Sequence, residues 1–118
     1  MRVANQSGRL TLVADGRGVD VETASAGRFS ADPQQIFERW DEFVSWARTV
    51  DFSDAASVIE SELHAPVPRP GQIFAVGVNY ADHVEESGLE LPDAPFVLTT
   101  FPAAITGPYD TIEHPGGR

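Results

Sequence analysis

The sequence predicts an α+β chain in two parts: a small N-terminal β-meander with a helix, then the first strands of a second unit. Three observations predict it. Short, partly alternating segments are separated by the turn signals Ser7-Gly8 and Asp15-Gly16-Arg17. One long apolar stripe at helical spacing follows them, running from Ile36 to Ala47. Beyond the stripe, the run Ala65-Pro66-Val67-Pro68-Arg69-Pro70-Gly71 reads as a stiff extended connection, because proline neither continues a helix nor lets its predecessor do so.

Taken in order, Arg2 to Gln6, Arg9 to Ala14 and Gly18 to Glu22 are the strands of the meander. A helix is expected next. Asp32 is its cap, Pro33 suits the first helical position, and Gln35 stands where a capping-box partner belongs. Ile36, Phe37, Trp40, Phe43, Val44 and Ala47 then fall on one face, and an aromatic stripe of this kind is read as core. Between Asp51 and Leu63 the pattern is mixed, with a short helix over residues 54–59. The domain boundary is placed at residue 64, dividing the chain into 1–64 and 65–118. In the second part Ile73 to Val78 is a continuous apolar run of buried-strand length, Gly77 allows a close backbone approach, and a short helix ends by Gly88. A strand at Phe96 to Thr100, a turn at Gly107-Pro108-Tyr109-Asp110 and an extended piece at Thr111-Ile112 complete the reading.

Composition excludes several kinds of function. With 42% hydrophobic and 22% charged residues the chain is globular. No apolar run approaches the roughly 20 residues that cross a bilayer. The polar start Met1-Arg2-Val3-Ala4-Asn5-Gln6 offers no apolar signal core, so a cytoplasmic location is expected. There is no cysteine, which removes disulfides and thiolate chemistry. All eight basic residues are arginine, which removes a lysine Schiff base. The formal charge of −10, with the arginines scattered singly, argues against nucleic acid and anionic membrane as partners.

The residues with chemistry to offer are His83 and Glu86. Three apart on a helix, they share a face, and a carboxylate there can orient an imidazole and stabilise its protonated form. A neutral histidine so backed is a general base able to activate water for attack on a carbonyl. Spacing alone does not separate this from an exposed pair on a surface helix.

The surrounding residues are more specific. Pro68-Arg69-Pro70-Gly71-Gln72-Ile73-Phe74-Ala75-Val76-Gly77-Val78-Asn79-Tyr80-Ala81-Asp82-His83-Val84-Glu85-Glu86, followed by Pro95-Phe96-Val97-Leu98-Thr99-Thr100-Phe101-Pro102-Ala103-Ala104-Ile105 and Gly107-Pro108-Tyr109-Asp110, resembles the start of the catalytic domain of the fumarylacetoacetate hydrolase family. The resemblance covers residues 64–115, with Gly-x-Asn-Tyr-Ala-x-His as its distinctive core, and the residues before it look like the small N-terminal domain of many bacterial members. It implies a mixed β-roll catalytic domain that is homodimeric when complete. It also implies Mg²⁺ or Mn²⁺ as cofactor and a 2-oxo or β-dicarbonyl acid as substrate, with C–C hydrolysis, decarboxylation or isomerisation as the reaction. By position His83 matches the family's base, Glu86 its orienting carboxylate, and Asn79 and Tyr80 the substrate-facing end of the strand. The family's metal ligands, a Glu-x-Glu pair and a later Asp, are expected beyond residue 118, so none is assigned here. Glu60-Ser61-Glu62 has the spacing but precedes the histidine motif, and is read as coincidence.

Two positions depart from the family pattern. Thr100 and Ala103 stand where a lysine and a serine are usual, removing a cation and a hydroxyl from the substrate side. Two readings follow: the N-terminal part of a metal-dependent enzyme of this family, or a non-enzymatic remnant that binds a partner and lacks the metal site.

Overall fold

The computed structural model of the chain describes residues 1–88, 90, 92–94, 96–114 and 116. It forms two compact units, Met1–Arg69 with Thr106–Arg118, and Pro70–Ile105.

In the first unit Arg2–Gln6 (β1), Arg9–Ala14 (β2) and Arg17–Asp20 (β3) make an antiparallel meander. Its turns rest on Ser7-Gly8 and Asp15-Gly16, all at positive φ. That pattern matches the twist of the strands it joins. Ala56–Ser57 (β4) adds to β3 and Leu63–His64 (β5) to β1, giving a five-stranded sheet in the order β4-β3-β2-β1-β5. The first two strands have the expected bounds. The third does not continue to Glu22: it ends at Asp20, and Val21–Ala24 (α1) is helical. The cause is capping, for the Asp20 carboxylate accepts from both the backbone N–H and the hydroxyl of Thr23 at 2.8 Å, satisfying an amide the helix start leaves open. Val21 is thereby turned fully into the core.

The core lies against one face of the sheet. Leu10 and Leu12 of β2, Val21, Phe29, Ile36, Phe43 and Ala47 form it, with Val3, Val19, Trp46, Val50 and Phe52 packed around them. Phe29 meets Phe43 edge-on at 5.5 Å, and the guanidinium groups of Arg28 and Arg39 each lie 5.1 Å from its ring centre. The expected helix is present in altered form. Asp32 accepts from the Gln34 amide at 3.0 Å but is not the cap: Gln35–Arg39 is a 3-10 turn whose N-cap is Gln34, with no side-chain capping bond, and the α-helix proper is Trp40–Ala47 (α2). Arg39 breaks the run with φ −130° and ψ 38°, its guanidinium donating to the Arg28 carbonyl at 2.9 Å and to Glu42 at 2.7 Å. The change of helix type splits the stripe. Ile36, Phe43 and Ala47 are buried, whereas Phe37 and Trp40, expected in the core, stack on each other at 5.9 Å and remain 46% and 40% exposed.

The helix expected over residues 54–59 is absent. Ala56 and Ser57 pair instead with Gly18 and Arg17, and the Val58 amide donates to the Gly16 carbonyl at 2.9 Å. Residues Glu60–Glu62 form a 3-10 turn. Thr111 and Ile112 belong to no strand, and Ile112 is 81% exposed. The expected turn after Gly107 is present: Asp110 Oδ2 accepts from the Gly107 amide and, at 3.2 Å, from the Thr106 hydroxyl, which holds its carboxyl below the usual range.

In the second unit Ile73–Gly77 (β6) and Phe96–Thr100 (β7) form an antiparallel ribbon, and Ala81–Glu86 (α3) lies between them in sequence. The run from Ile73 was expected to be buried and is not. Phe74, Val76 and Val97 share one face of the ribbon at 60%, 50% and 54% exposure. Phe96 and Leu98 lie on the other at 56% and 47%. Each strand has only the other as its partner among the described residues, and large apolar side chains stand about half exposed on both faces.

Two predictions follow from the first unit. A Cβ on Gly18 would sit 2.6 Å from the Thr11 methyl and 3.2 Å from Val58. Gly18→Ala is therefore expected to destabilise the sheet by about 1–3 kcal/mol, read by denaturant unfolding. The Arg9 guanidinium, 2.7 Å from Asp20, holds that carboxyl down at about 2, with further donation from Thr23. A depressed carboxyl stabilises above its unfolded value of 3.8 and loses that contribution as pH falls toward about 2. Discounted for solvent screening of a half-exposed arginine, the loss is on the order of 1 kcal/mol. Unfolding midpoints measured between pH 4 and 2 should fall less steeply in Asp20→Asn than in the native chain.

Candidate active site

The sequence-predicted residues come together on one stretch of the second unit, where β6 passes into α3. β6 ends at Gly77, paired with Phe96, and a Cβ on Gly77 would stand 3.1 Å from the Phe96 ring. The glycine there serves close packing, as its place in the apolar run suggested. The next residue, Val78, has φ +48°, in the left-handed region that a β-branched side chain rarely occupies. Asn79 and Tyr80 follow, both exposed, Tyr80 at 74%. The Tyr80 carbonyl accepts from the Val84 amide at 3.1 Å and so starts the helix. Val84 is the buried residue of α3 at 5% exposure, while Ala81, Asp82, Glu85 and Glu86 are exposed. Gly88, at φ +64°, closes the segment with its amide donating to the Glu85 carbonyl at 3.1 Å.

His83 is a helical residue of α3 whose side chain lies outside what the structure describes. Glu86 is one helical turn further on, so the backbone sets the two positions on neighbouring parts of one face. Among the described residues the side chains of Asn79, Tyr80 and Glu86 make no hydrogen bond and no ion pair. Thr100, opposite Ile73, helps line a cleft of about 210 Å³ with Gln72, Phe74, Phe101 and Pro102. Ala103 sits in the 3-10 turn Pro102–Ala104. Pro95, part of the quoted resemblance, is outside the described residues.

The Glu60-Ser61-Glu62 carboxylates have structural partners. Glu60 accepts from the Tyr109 hydroxyl at 3.2 Å, which raises that phenol above its ordinary value, and Glu62 accepts from Ser7 at 3.0 Å. Among the described residues no three His, Asp or Glu side chains gather as a metal site. Sequence reading missed the left-handed backbone at Val78, which no residue type announces.

Together the meander, the core helix and the strand-to-helix passage define an α+β protein with the N-terminal portion of a fumarylacetoacetate hydrolase-type fold. A crystal structure of an HpcE-like protein from Mycobacterium smegmatis is similar over 99% of this chain and 42% of its own, with a TM-score of 0.85 and 44% identity. The chain belongs to the fumarylacetoacetate hydrolase family, corresponding to an N-terminal portion of such a protein. No family model matches it. The oxaloacetate tautomerase YisK of Bacillus subtilis is 42% identical over 96 residues, 76% of this chain and 30% of that relative. The mitochondrial oxaloacetate tautomerase Fahd2a of Rattus norvegicus is 36% identical over 80 residues, 66% of this chain and 26% of its own length. A fumarylacetoacetate hydrolase domain-containing protein 2 homolog of Dictyostelium discoideum is 28% identical over 118 residues, 96% of this chain and 38% of its own. The chain thus spans well under half of these relatives.

The contact at the end of β6 is testable. Gly77→Ala should displace the Phe96 ring and weaken the ribbon by about 1–3 kcal/mol. The measurement is faster amide exchange at Ala75 and Leu98, with shifted Phe96 ring resonances.

Proposed function

We propose that this chain is the N-terminal part of a divalent-metal-dependent enzyme that interconverts the keto and enol forms of a 2-oxo diacid. The observation that carries the reading is the passage from β6 to α3, which brings Asn79, Tyr80, His83 and Glu86 onto one segment in a chain whose relatives include oxaloacetate tautomerases. Tautomerisation is a proton transfer: a base removes a proton from the carbon beside the carbonyl, the electron pair moves into a C=C bond, and the former carbonyl oxygen takes up a proton. His83 is the residue suited to carry that proton near neutral pH, and Glu86 to orient its ring and stabilise the imidazolium. Asn79 and Tyr80 contact the substrate. Activation of water by the same pair would serve hydrolysis instead, while decarboxylation would need no water at all, and the names of the relatives favour isomerisation. Mg²⁺ or Mn²⁺, held by residues other than those described, would polarise the carbonyl and steady the enolate charge. Two parts meeting at residue 64, a homodimeric assembly and a cytoplasmic location belong to the same proposal. No described helix is long and apolar enough to cross a membrane.

A partner-binding module without catalysis is the second reading, favoured by the half-exposed apolar side chains on both faces of the β6–β7 ribbon. The two part on one measurement. In the enzyme carrying this segment, His83→Ala should lower kcat for oxaloacetate enolisation, followed by ultraviolet absorbance, by at least about 100-fold, and Glu86→Gln by about 10-fold. Unchanged turnover in His83→Ala would sink the catalytic reading.

A further inference from the structure

Gly77 and Val78 stand in an unexpected order. A left-handed backbone is easy for glycine and costly for a β-branched residue, yet the glycine is at 77 and the positive φ at 78. The neighbours explain why the order is kept. A Cβ at Gly77 would stand 3.1 Å from the Phe96 ring, so a larger residue there requires that ring to give way. Val78 stands directly between the last rung of the ribbon, Gly77 opposite Phe96, and the residue that caps α3, Tyr80. Three residues, Val78, Asn79 and Tyr80, carry the chain from the end of β6 to the start of α3, and among them it is Val78 that leaves the ordinary regions of backbone space. Asparagine, which tolerates the left-handed region better than valine, is next door at 79 and is not the one that bears it. Backbone strain of this kind persists where the surrounding structure over-determines it, and such places cluster at functional sites.

We propose that Val78 is a positioning residue: its left-handed backbone aims Asn79, Tyr80 and α3, and so fixes where positions 83 and 86 fall relative to the end of β6. The proposal rests on the catalytic reading of α3 given above. It assigns Val78 no contact with substrate. The residue acts through the helix, and a relaxed backbone at 78 would swing the helix away from the strand end without disturbing the β6–β7 ladder.

The test compares three variants. Val78→Thr keeps the branched shape and removes apolarity, Val78→Asn relieves the left-handed cost, and Val78→Pro forces φ out of that region. The first readout is the sign of φ at residue 78 in the native chain, from the intraresidue amide-to-Hα nuclear Overhauser effect. The second is exchange of the Val84 amide, which donates to Tyr80. Val78→Asn should protect that amide about fivefold more than Val78→Thr does, the return of a left-handed penalty of about 1 kcal/mol. The third is turnover in the enzyme carrying the segment. Val78→Pro should lower kcat at least about 10-fold with KM within threefold, and Val78→Asn should hold kcat within threefold of native, a rescue by backbone tolerance alone. A negative φ at 78, or equal Val84 exchange in the Asn and Thr variants, overturns the strain. If His83→Ala abolishes turnover and Val78→Pro, with its β6–β7 amides still protected, leaves kcat intact, the positioning role is overturned and the catalytic reading stands. If His83→Ala leaves turnover intact, the catalytic reading and the positioning role fall together.

Discussion

The packing of Phe96 over a bare Cα at Gly77 is the constraint on which the second unit depends. It lies at the rung where pairing stops, and the chain turns just after it. Tyr80 accepts the first helical hydrogen bond only three residues later. Among the described residues of α3, Val84 is the strongly buried one that can set its rotation. Positions 83 and 86 lie about 60° apart around such a helix, as its 3.6-residue turn requires. One glycine, one strained valine and one buried valine thus determine where the two residues with acid–base chemistry stand. The helix is too short to hold itself by propensity, so these contacts and the caps must supply what its length does not.

The first unit rests on a comparable joint at Asp20. That carboxylate ends β3, caps α1 and accepts Arg9 from β2, so strand, helix and ion pair share one side chain. Exposed ion pairs are worth little singly. This one has more to do, because the cap it also supplies turns Val21 into the core beside Leu10 and Leu12. Arg39 works in the opposite direction. By reaching back to the Arg28 carbonyl it interrupts the helix run, and the interruption is what leaves Phe37 and Trp40 at the surface.

What could be read from the sequence follows the same division between local and distant causes. β1 and β2 were legible because alternation and two-residue turns are local signals, and β7 because it is a short branched and aromatic run. The two-residue strands β4 and β5 were not, since their partners create them. A helical run over the apolar stripe was legible while its start at Gln34 and the switch from 3-10 to α at Arg39 were not, the switch because its cause is a bond to a carbonyl eleven residues away. An apolar run such as Ile73 to Val78 reports that a strand is built for covering, and says nothing of what covers it. In the candidate site the shared face of positions 83 and 86 follows from spacing. The backbone of Val78 does not, because a valine after a glycine is an ordinary way to end a strand.

Electrostatics gives the proposed chemistry its remaining demand. Between Pro70 and Ile105 there is no lysine or arginine, whereas Asp82, Glu85, Glu86, Glu90 and Asp93 all carry acid groups. A 2-oxo diacid approaching α3 meets carboxylates, and the enolate formed from it adds charge on the carbonyl oxygen. No side chain of this unit but His83 can bear positive charge. A neutral histidine lends no charge to hold the incoming diacid, and becomes a cation only on taking the proton. Under the proposed function, charge for substrate binding would therefore be drawn from outside this unit. A divalent cation supplies that charge most compactly, neutralising two carboxylate or enolate oxygens at once without a proton to exchange. Under the proposed function, the acidity of α3 fits a division of labour, in which this segment would move the proton and another part of the enzyme would hold the cation that makes the proton removable.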